Sequence, residues 1–212
     1  MARHYDRRMP FDHNDHYHRL LLRQLPPGAR AALDVGCGTG RFAGRLAERG
    51  LTVDAVDPSA EVIEAAEATA PSGTGGPRFV HADITTMELP AAHYDFVSCL
   101  ASIHHVPFDT VARLRDTLAP GGVLAILGCY PERTAADHAV ALAAVPSNAA
   151  ARLVVGAGDR LRGRQAPPRA PVARPELPLP EIRRRAAELL PGHRVRRLLF
   201  WRYLLVYRKP VS

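Results

Sequence analysis

Hydrophobic and polar positions alternate in blocks through the first 130 residues, and the blocks predict strands and helices in turn. Short apolar runs, which are typical of buried strands, occupy residues 31–36, 51–56, 78–82, 94–100 and 123–127. Helical spacing of apolar positions, bounded by glycine, proline or serine, occurs at 39–49, 60–69 and 107–118. Strands that alternate with single helices predict an α/β fold with a doubly wound, mostly parallel sheet and helices on both faces.

A single domain is predicted, with an N-terminal helical segment at residues 1–28, an alternating strand–helix core at 29–130, an insertion at 131–192 and a closing hairpin at 193–212. Within the insertion the pattern predicts an alanine-rich helix, a proline-rich stretch without regular helix and a short helix, at residues 134–145, 146–180 and 181–190. Apolar and basic runs at 194–200 and 203–208 predict an antiparallel hairpin that closes the sheet.

Composition narrows the class of protein. A chain of 212 residues with 47% hydrophobic and 23% charged residues is expected to form one core. No apolar stretch approaches the ~18–20 residues that span a bilayer, and no apolar segment follows the N-terminal charges, so we expect neither a membrane segment nor a signal peptide. The three cysteines lack paired or metal-ligand spacing, which predicts the reducing cytoplasm.

The sharpest chemical feature is the segment from Leu33 to Gly40, between the first predicted strand and the first predicted helix. Its glycines, Gly36, Gly38 and Gly40, allow a tight turn and a close approach of the backbone to a ligand. The helix that follows adds free N–H groups and the positive end of its dipole. The spacing G-x-G-x-G differs from the G-x-G-x-x-G of a nicotinamide dinucleotide loop, which argues against a dehydrogenase.

With Asp34 in front, the loop reads D-x-G-x-G-x-G and resembles the first motif of class I S-adenosylmethionine-dependent methyltransferases. Asp57 ends the second strand, where a carboxylate can accept hydrogen bonds from both ribose hydroxyls of the cofactor. The alternative role of Asp57 is to cap the next helix. Asp83 follows the third strand, where an acidic residue of the family accepts a hydrogen bond from the adenine amino group. The alternative role of Asp83 is to form an Asx-turn in the loop. Residues 94–106 and 118–122 resemble the family's fourth motif and the loop before its fifth strand.

This resemblance covers residues 31–130 and implies a Rossmann-like sheet with strand order 3-2-1-4-5-7-6. It implies S-adenosyl-L-methionine as cofactor, S-adenosyl-L-homocysteine as product, and no metal. The residues that it implies for the cofactor are Asp34, Gly36, Cys37, Gly38, Gly40, Asp57, Pro58, Asp83, Ile84, Cys99, Leu100 and Tyr17.

Residues 12–25 predict a helix whose leucines face the core and whose first half is rich in histidine. We interpret this helix as a lid over the methionine end of the cofactor and the acceptor, and Tyr17 and His18 are the lid residues to test first. A solvated helix face and a metal site are the alternatives, and His13, His16 and His18 cannot all share one face of a helix. A histidine- and tyrosine-rich first helix and a Trp-Arg-Tyr hairpin at 201–203 also resemble small actinobacterial-type methyltransferases, a resemblance that brings no substrate.

His104 and His105 follow the fourth predicted strand, at the edge of the sheet where ligands bind in such folds. Histidine can take a proton near neutral pH, so one of the pair is the candidate base for methyl transfer. The alternative is that one of them caps a helix or orients the cofactor while the acceptor needs no base. We expect His13, His18 and Tyr130 to contact the acceptor.

Charge is unevenly distributed along the chain. Residues 1–130 hold 12 arginines and 15 acidic residues, whereas residues 131–212 hold 15 arginines and Lys209 against 6 acidic residues. A solvated surface is the preferred interpretation of the basic half, and an acidic small substrate or partner and nucleic acid are the alternatives. Against nucleic acid, no N/D-P-P-Y motif follows the fourth strand, a Lys-Asp-Lys-Glu tetrad is impossible with one lysine, and aromatic residues for base stacking are few.

These observations favour a small-molecule acceptor, methylated at oxygen or nitrogen rather than at carbon or sulfur. A protein that binds the cofactor without transferring the methyl group is a further alternative, and either a monomer or a homodimer is expected. Cys37, Cys99 and Cys129 lack the Pro-Cys pair of a thiol nucleophile, and we expect them to pack near the cofactor.

Overall fold

The computed structural model describes residues 13–70, 75–131, 174–199 and 201–211. Within these ranges one seven-stranded sheet has the order 3-2-1-4-5-7-6, which confirms the predicted topology. Its strands are β1 (Ala31–Val35), β2 (Thr52–Asp57), β3 (Arg78–His81), β4 (Tyr94–Leu100), β5 (Leu118–Cys129), β6 (Arg194–Arg197) and β7 (Arg202–Arg208). Strands β1 to β5 pair in parallel, and β7 is antiparallel to both β5 and β6.

The helices cover both faces of this sheet. They are α1 (His13–Leu22), α2 (Arg41–Ala47), α3 (Ala60–Thr69), α4 (Thr110–Thr117) and α5 (Leu179–Leu189). Leu21 of α1 and Phe42 of α2 belong to one core cluster, whereas Leu114 of α4 and Ile182 of α5 belong to the other. Each buried side chain of this size contributes about 1.5–3 kcal/mol, so both clusters hold the helices firmly against the sheet.

The predicted helix at 107–118 begins later than expected. A short 3₁₀ turn, Ile103–His105, follows β4, and α4 begins only at Thr110. The turn ends at Val106, whose extended backbone (φ −128°, ψ 160°) is the conformation that the following Pro107 imposes on its neighbour. Proline therefore separates the histidine pair from the helix that follows.

Strand β5 begins earlier than predicted, because the proline–glycine turn at 120–122 is absorbed into it. The register between β4 and β5 shifts between Tyr94 and Phe96, which is a β-bulge that accommodates the extra residues. The shift lies at the end of the sheet away from the glycine loop and leaves the pairing at Cys99 and Leu100 regular.

Two predicted features lie outside the described residues. The alanine-rich helix at 134–145 and most of the proline-rich stretch fall within residues 132–173, so these two parts of the insertion stay predictions. Its predicted short helix is α5. Among the described residues, no helix is both long and apolar enough to cross a membrane.

Candidate functional site

The glycine loop joins β1 to α2 and is held by β2. The carbonyl oxygen of Val56 accepts the N–H groups of Gly36 and Cys37, at 2.7 and 3.0 Å. Gly36 and Gly38 have φ angles of +68° and +55°, which L-residues with a side chain adopt only with strain. The backbone of the loop therefore follows a path that depends on glycine.

The space around the loop differs from one glycine to the next. A Cβ atom at Gly36 would overlap the Cβ of Ser102, and one at Gly40 would lie 2.5 Å from the ring of Phe79. A Cβ at Gly38 would meet no atom within 4 Å. Protein atoms thus fill the surroundings of two glycines, while the backbone at Gly38 is open to a ligand.

Asp57, at the end of β2, connects this loop to the start of α3. One carboxylate oxygen accepts the N–H of Gly38 and the other accepts the N–H of Ser59, both at 3.0 Å. The cap of α3 is Ser59, whose hydroxyl oxygen accepts the N–H of Val62, so the alternative role of Asp57 as helix cap is wrong. The carboxylate retains lone pairs for further donors beside the open glycine.

Asp34 lies beneath the loop and is 2% exposed. The hydroxyl of Ser98 on β4 donates a hydrogen bond of 2.7 Å to its carboxylate. Burial raises the pKa of Asp34 to about 7, the bond from Ser98 opposes the rise, and the charge of Asp57 adds to it. Asp34 therefore supports the loop from the interior of the protein.

The raised pKa of Asp34 predicts a pH-dependent stability. Folded protein retains a proton on this carboxyl that unfolded protein releases above pH ~4, so stability falls as the pH rises from about 4 to 7. The whole fall attributable to Asp34 is about 4 kcal/mol, of which roughly 2–3 kcal/mol lies between pH 5 and pH 7.5. We expect Asp34→Asn to remove it, as measured by urea unfolding at pH 5 and pH 7.5. Asp54→Asn is the control, because the pKa of Asp54 is lowered and this group is ionised in both states over that range. Equal pH slopes for wild type and Asp34→Asn would contradict the assignment.

Asp83 lies in the loop after β3 and is exposed. Its Oδ1 accepts both the backbone N–H and the hydroxyl of Thr85, at 2.8 and 2.7 Å, which is the Asx-turn expected as the alternative. These two bonds lower the pKa of Asp83, so it is a carboxylate at neutral pH. A role towards the adenine amino group stays a prediction, since the turn engages one of its two oxygens. Ile84, which is also predicted to contact the cofactor, is buried. The carbonyl oxygen of Pro58, another predicted cofactor residue, lies 3.1 Å from Nε2 of His81.

The histidine pair occupies the 3₁₀ turn after β4. The ring centroids of His104 and His105 are 4.1 Å apart, with His104 half-buried and His105 exposed. The hydroxyl of Ser102 donates a 2.6 Å hydrogen bond to the carbonyl of Val35, and Ala101 before it has a φ of +54°. Ser102 thus connects the histidine turn directly to the glycine loop.

The other predicted site residues divide between the two faces of the sheet. Tyr17 and His18 of α1 are buried on the face of α2, where the His18 ring lies 5.0 Å from that of Phe42. The Tyr17 hydroxyl donates to the carbonyl of Leu199, which ties α1 to the closing hairpin. Tyr130 is buried in the opposite core cluster. Tyr17 thus belongs to one core cluster, with His18 beside its Phe42, and Tyr130 belongs to the other. The side chain of His13 lies outside the described part of the chain.

All three cysteines are free thiols. Cys37 and Cys99 are buried, and Cys129 is half-buried. Burial raises the pKa of each thiol, so none is a thiolate near neutral pH. Leu100, at the end of β4, is half-buried beside Cys99.

Comparison with known proteins shows the family to which this chain belongs. Residues 32–122, from β1 into β5, match the family described as a methyltransferase domain. Over 95% of its length the chain is 38% identical to an uncharacterized methyltransferase of Mycobacterium tuberculosis (strain ATCC 25618 / H37Rv), of which 98% is covered. The chain belongs to the class I S-adenosylmethionine-dependent methyltransferases. It is therefore an enzyme that uses S-adenosylmethionine, as the glycine motif predicts.

Other similarities cover less of the sequence or concern the fold alone. The methyltransferase is 38% identical over 125 residues to the trans-aconitate 2-methyltransferase of Streptomyces avermitilis, a match that spans 53% of this chain and 46% of that protein. The PH0226 protein of Pyrococcus horikoshii OT3 is similar in structure, with a TM-score of 0.63, 19% identity and coverage of 92% of this chain and 88% of that one. At this identity the likeness shows the fold.

The geometry of the methyltransferase fits its cofactor. The backbone is open at Gly38, and a buried carboxylate, Asp57, lies beside it. Among the described residues no three histidine, cysteine, aspartate or glutamate side chains form a group that could hold a metal ion.

Sequence reasoning missed Ser98 and Ser102, which hold Asp34 and the histidine turn. A hydroxyl within the otherwise apolar run of β4 was the available signal for Ser98, since buried polar groups require partners.

Proposed function

We propose that this methyltransferase transfers the methyl group of S-adenosylmethionine to an oxygen or nitrogen atom of a small molecule. The observation that carries the proposal is the position of His104 and His105. They follow β4, next to β1 in the sheet, and Ser102 links their turn to the glycine loop. A side chain able to accept a proton thus lies beside the cofactor loop.

Within the proposal, each group of the loop has a defined task. The backbone from Gly36 to Gly40 holds the cofactor, Asp57 accepts the ribose hydroxyls, and Asp83 faces the adenine. When bound, S-adenosylmethionine supplies a methyl group on a positively charged sulfur. The chain positions the acceptor, excludes water and receives a proton where the acceptor atom carries one.

The thiols support oxygen or nitrogen as the methylated atom. Methylation of carbon through a covalent thiol adduct needs a thiolate, and burial raises the pKa of Cys37, Cys99 and Cys129. Their free, buried state also fits the reducing cytoplasm as the location of the enzyme.

The arginines of the basic half support a small molecule over nucleic acid. On α5, Arg184 pairs with Glu181 and Glu188, and Arg185 pairs with Asp109. Arginines paired with carboxylates of the same surface are less able to release counterions from a phosphate backbone. The names of two partial relatives give trans-aconitate and malonyl-[acyl-carrier protein] as acceptors, and neither of these is a nucleic acid.

The test combines labelling with histidine variants. Wild-type enzyme is incubated with methyl-labelled S-adenosylmethionine and an extract of the source organism, and the labelled product is identified by mass spectrometry. We expect label in the small-molecule fraction. Either His104→Gln or His105→Gln should lower turnover by about 100-fold and flatten its dependence on pH, with unchanged affinity for S-adenosylhomocysteine.

His93→Gln is the matched control, because His93 precedes β4 at the opposite edge of the sheet. Label recovered in RNA or protein would overturn the small-molecule acceptor. Full turnover in both site variants would show that the acceptor needs no histidine base.

A further inference from the structure

Backbone pairing between β1 and β4 ends at Val35 and Cys99, where the two strands reach the cofactor loop. Beyond this point the chain leaves β1 towards α2 on one face of the sheet, and it leaves β4 towards α4 on the other face. In open α/β sheets, ligands bind in the crevice that such a pair of strands forms at its carboxyl ends. A hydrogen bond across this crevice therefore joins the two sides of the ligand site.

Ser102 supplies such a bond. Its hydroxyl donates to the carbonyl oxygen of Val35 over 2.6 Å, and the two residues are 67 positions apart in the chain. On the other side of the same loop, the carbonyl oxygen of Val56 on β2 accepts the N–H groups of Gly36 and Cys37. The glycine loop is thus held from β2 on one side and by Ser102 on the other.

The same serine packs directly against the glycine loop. A Cβ atom at Gly36 would overlap the Cβ of Ser102, so the two segments approach this closely only because residue 36 has no side chain. The contact at Gly36 and the hydrogen bond to Val35 involve adjacent residues of the loop. Together they fix the side chain of Ser102 against the start of the loop.

The histidine turn takes its position from Ser102. Ala101, the residue before it, has a φ of +54°, and its N–H donates to the carbonyl oxygen of Leu127 on β5 over 2.7 Å. A residue with a side chain keeps such a conformation only where its surroundings hold it there. The N–H of His105 donates to the carbonyl oxygen of Ser102 over 3.0 Å and closes the turn. The start of the turn is therefore fixed between β1 and β5.

We propose that Ser102 is a positioning residue for methyl transfer, whose hydroxyl sets the distance between the glycine loop and the histidine turn. This rests on the proposed function, in which the loop holds the cofactor and a histidine of the turn receives the proton of the acceptor. Misplacement of reacting groups by about 1 Å can lower a rate by about 100-fold. Ser102 thus acts on the chemical step through the turn, because its own hydroxyl is bonded to Val35.

The experiment compares Ser102→Ala with Thr117→Val, which removes another hydroxyl that donates to a backbone carbonyl, that of Leu114. Thr117 is the last residue of α4 and directly precedes β5, at the opposite edge of the sheet. The acceptor is the one isolated from the labelled extract. We expect Ser102→Ala to lower kcat by about 10- to 100-fold, with little change in KM and in the affinity for S-adenosylhomocysteine. Thr117→Val should leave kcat and KM unchanged, although both variants should lower the midpoint of urea unfolding.

Combination with the histidine variants shows whether Ser102 acts through the turn. In whichever of His104→Gln and His105→Gln lowers turnover, the addition of Ser102→Ala should lower kcat by less than about threefold, because the group that it positions is already absent. An equal loss in both backgrounds overturns the positioning role and leaves the histidine base standing. Full turnover in both histidine variants overturns the proposed base, and the role of Ser102 with it.

Proton NMR of the free protein adds a readout that does not involve activity. The ring resonances of His104 and His105 are identified by their loss in the two glutamine variants. Ser102→Ala should shift both resonances, because the turn is no longer held to Val35, whereas Thr117→Val should leave them in place. Unchanged histidine resonances in Ser102→Ala, or an unchanged kcat, overturn the role of Ser102.

Discussion

Gly36→Ala is expected to destabilise the enzyme, whereas Gly38→Ala is expected to leave it folded and to weaken cofactor binding. Both glycines have positive φ, which costs about 1–2 kcal/mol for alanine. At Gly36 the added Cβ would also overlap the Cβ of Ser102, and overpacking adds about 1–3 kcal/mol. Gly36→Ala should therefore lower the free energy of unfolding by about 3 kcal/mol in total.

At Gly38 the added methyl group meets no protein atom, so the loss of stability should stay near 1–2 kcal/mol. The same methyl group would occupy the space proposed for the cofactor, and we expect affinity for S-adenosylhomocysteine to fall at least tenfold, about 1.4 kcal/mol. Urea unfolding and calorimetry measure the two effects. Equal stability losses for the two variants, or unchanged affinity in Gly38→Ala, would contradict this account of the loop.

Asp57→Asn is expected to reduce affinity for S-adenosylhomocysteine by about 10- to 100-fold. In the folded enzyme its two oxygens accept the N–H groups of Gly38 and Ser59. An asparagine has one oxygen, so one of these N–H groups would face an amide nitrogen and lose its hydrogen bond. The substitution also removes the negative charge that is expected to accept the ribose hydroxyls.

Asp95→Asn is the matched control for Asp57→Asn. Asp95 also accepts two backbone N–H groups, those of Arg30 and Ala31, but at the amino end of β1 and β4. Its substitution should lower stability without changing cofactor affinity, as measured by calorimetry. A similar loss of affinity in both variants would mean that Asp57 acts through the stability of the sheet.

Local patterns predicted most of the fold. Helix α3 and strand β4 have the predicted bounds, because a serine cap and a mostly apolar run depend only on neighbouring residues. The helix after β4 was misplaced by three residues, since Pro107 begins a turn rather than the helix itself. Strand β5 was predicted too short, because its first residues pair through a bulge that no local pattern indicates.

The candidate site was predicted less completely than the fold. The glycine spacing and Asp57 were recognisable because they form one continuous strand–loop–helix unit and the end of the next strand. Tyr17 and His18, which are predicted to belong to a lid, lie on a helix as expected. That helix packs on the face of the sheet opposite the core cluster of Tyr130. The pattern of a helix shows which of its sides is apolar, and it does not show which face of a sheet that side covers.

By itself, the sequence determined the order of strands and helices, the cofactor loop and the methyltransferase family, since each depends on residues close together in the chain. Tertiary structure alone decided that Ser98 holds Asp34 across 64 residues and that Ser102 holds Val35 across 67. It also decided that Tyr203 lies over Gly128. Such pairs form where distant strands become neighbours in the sheet, and their partners depend on strand order and register, which the amino acids on either strand do not specify alone.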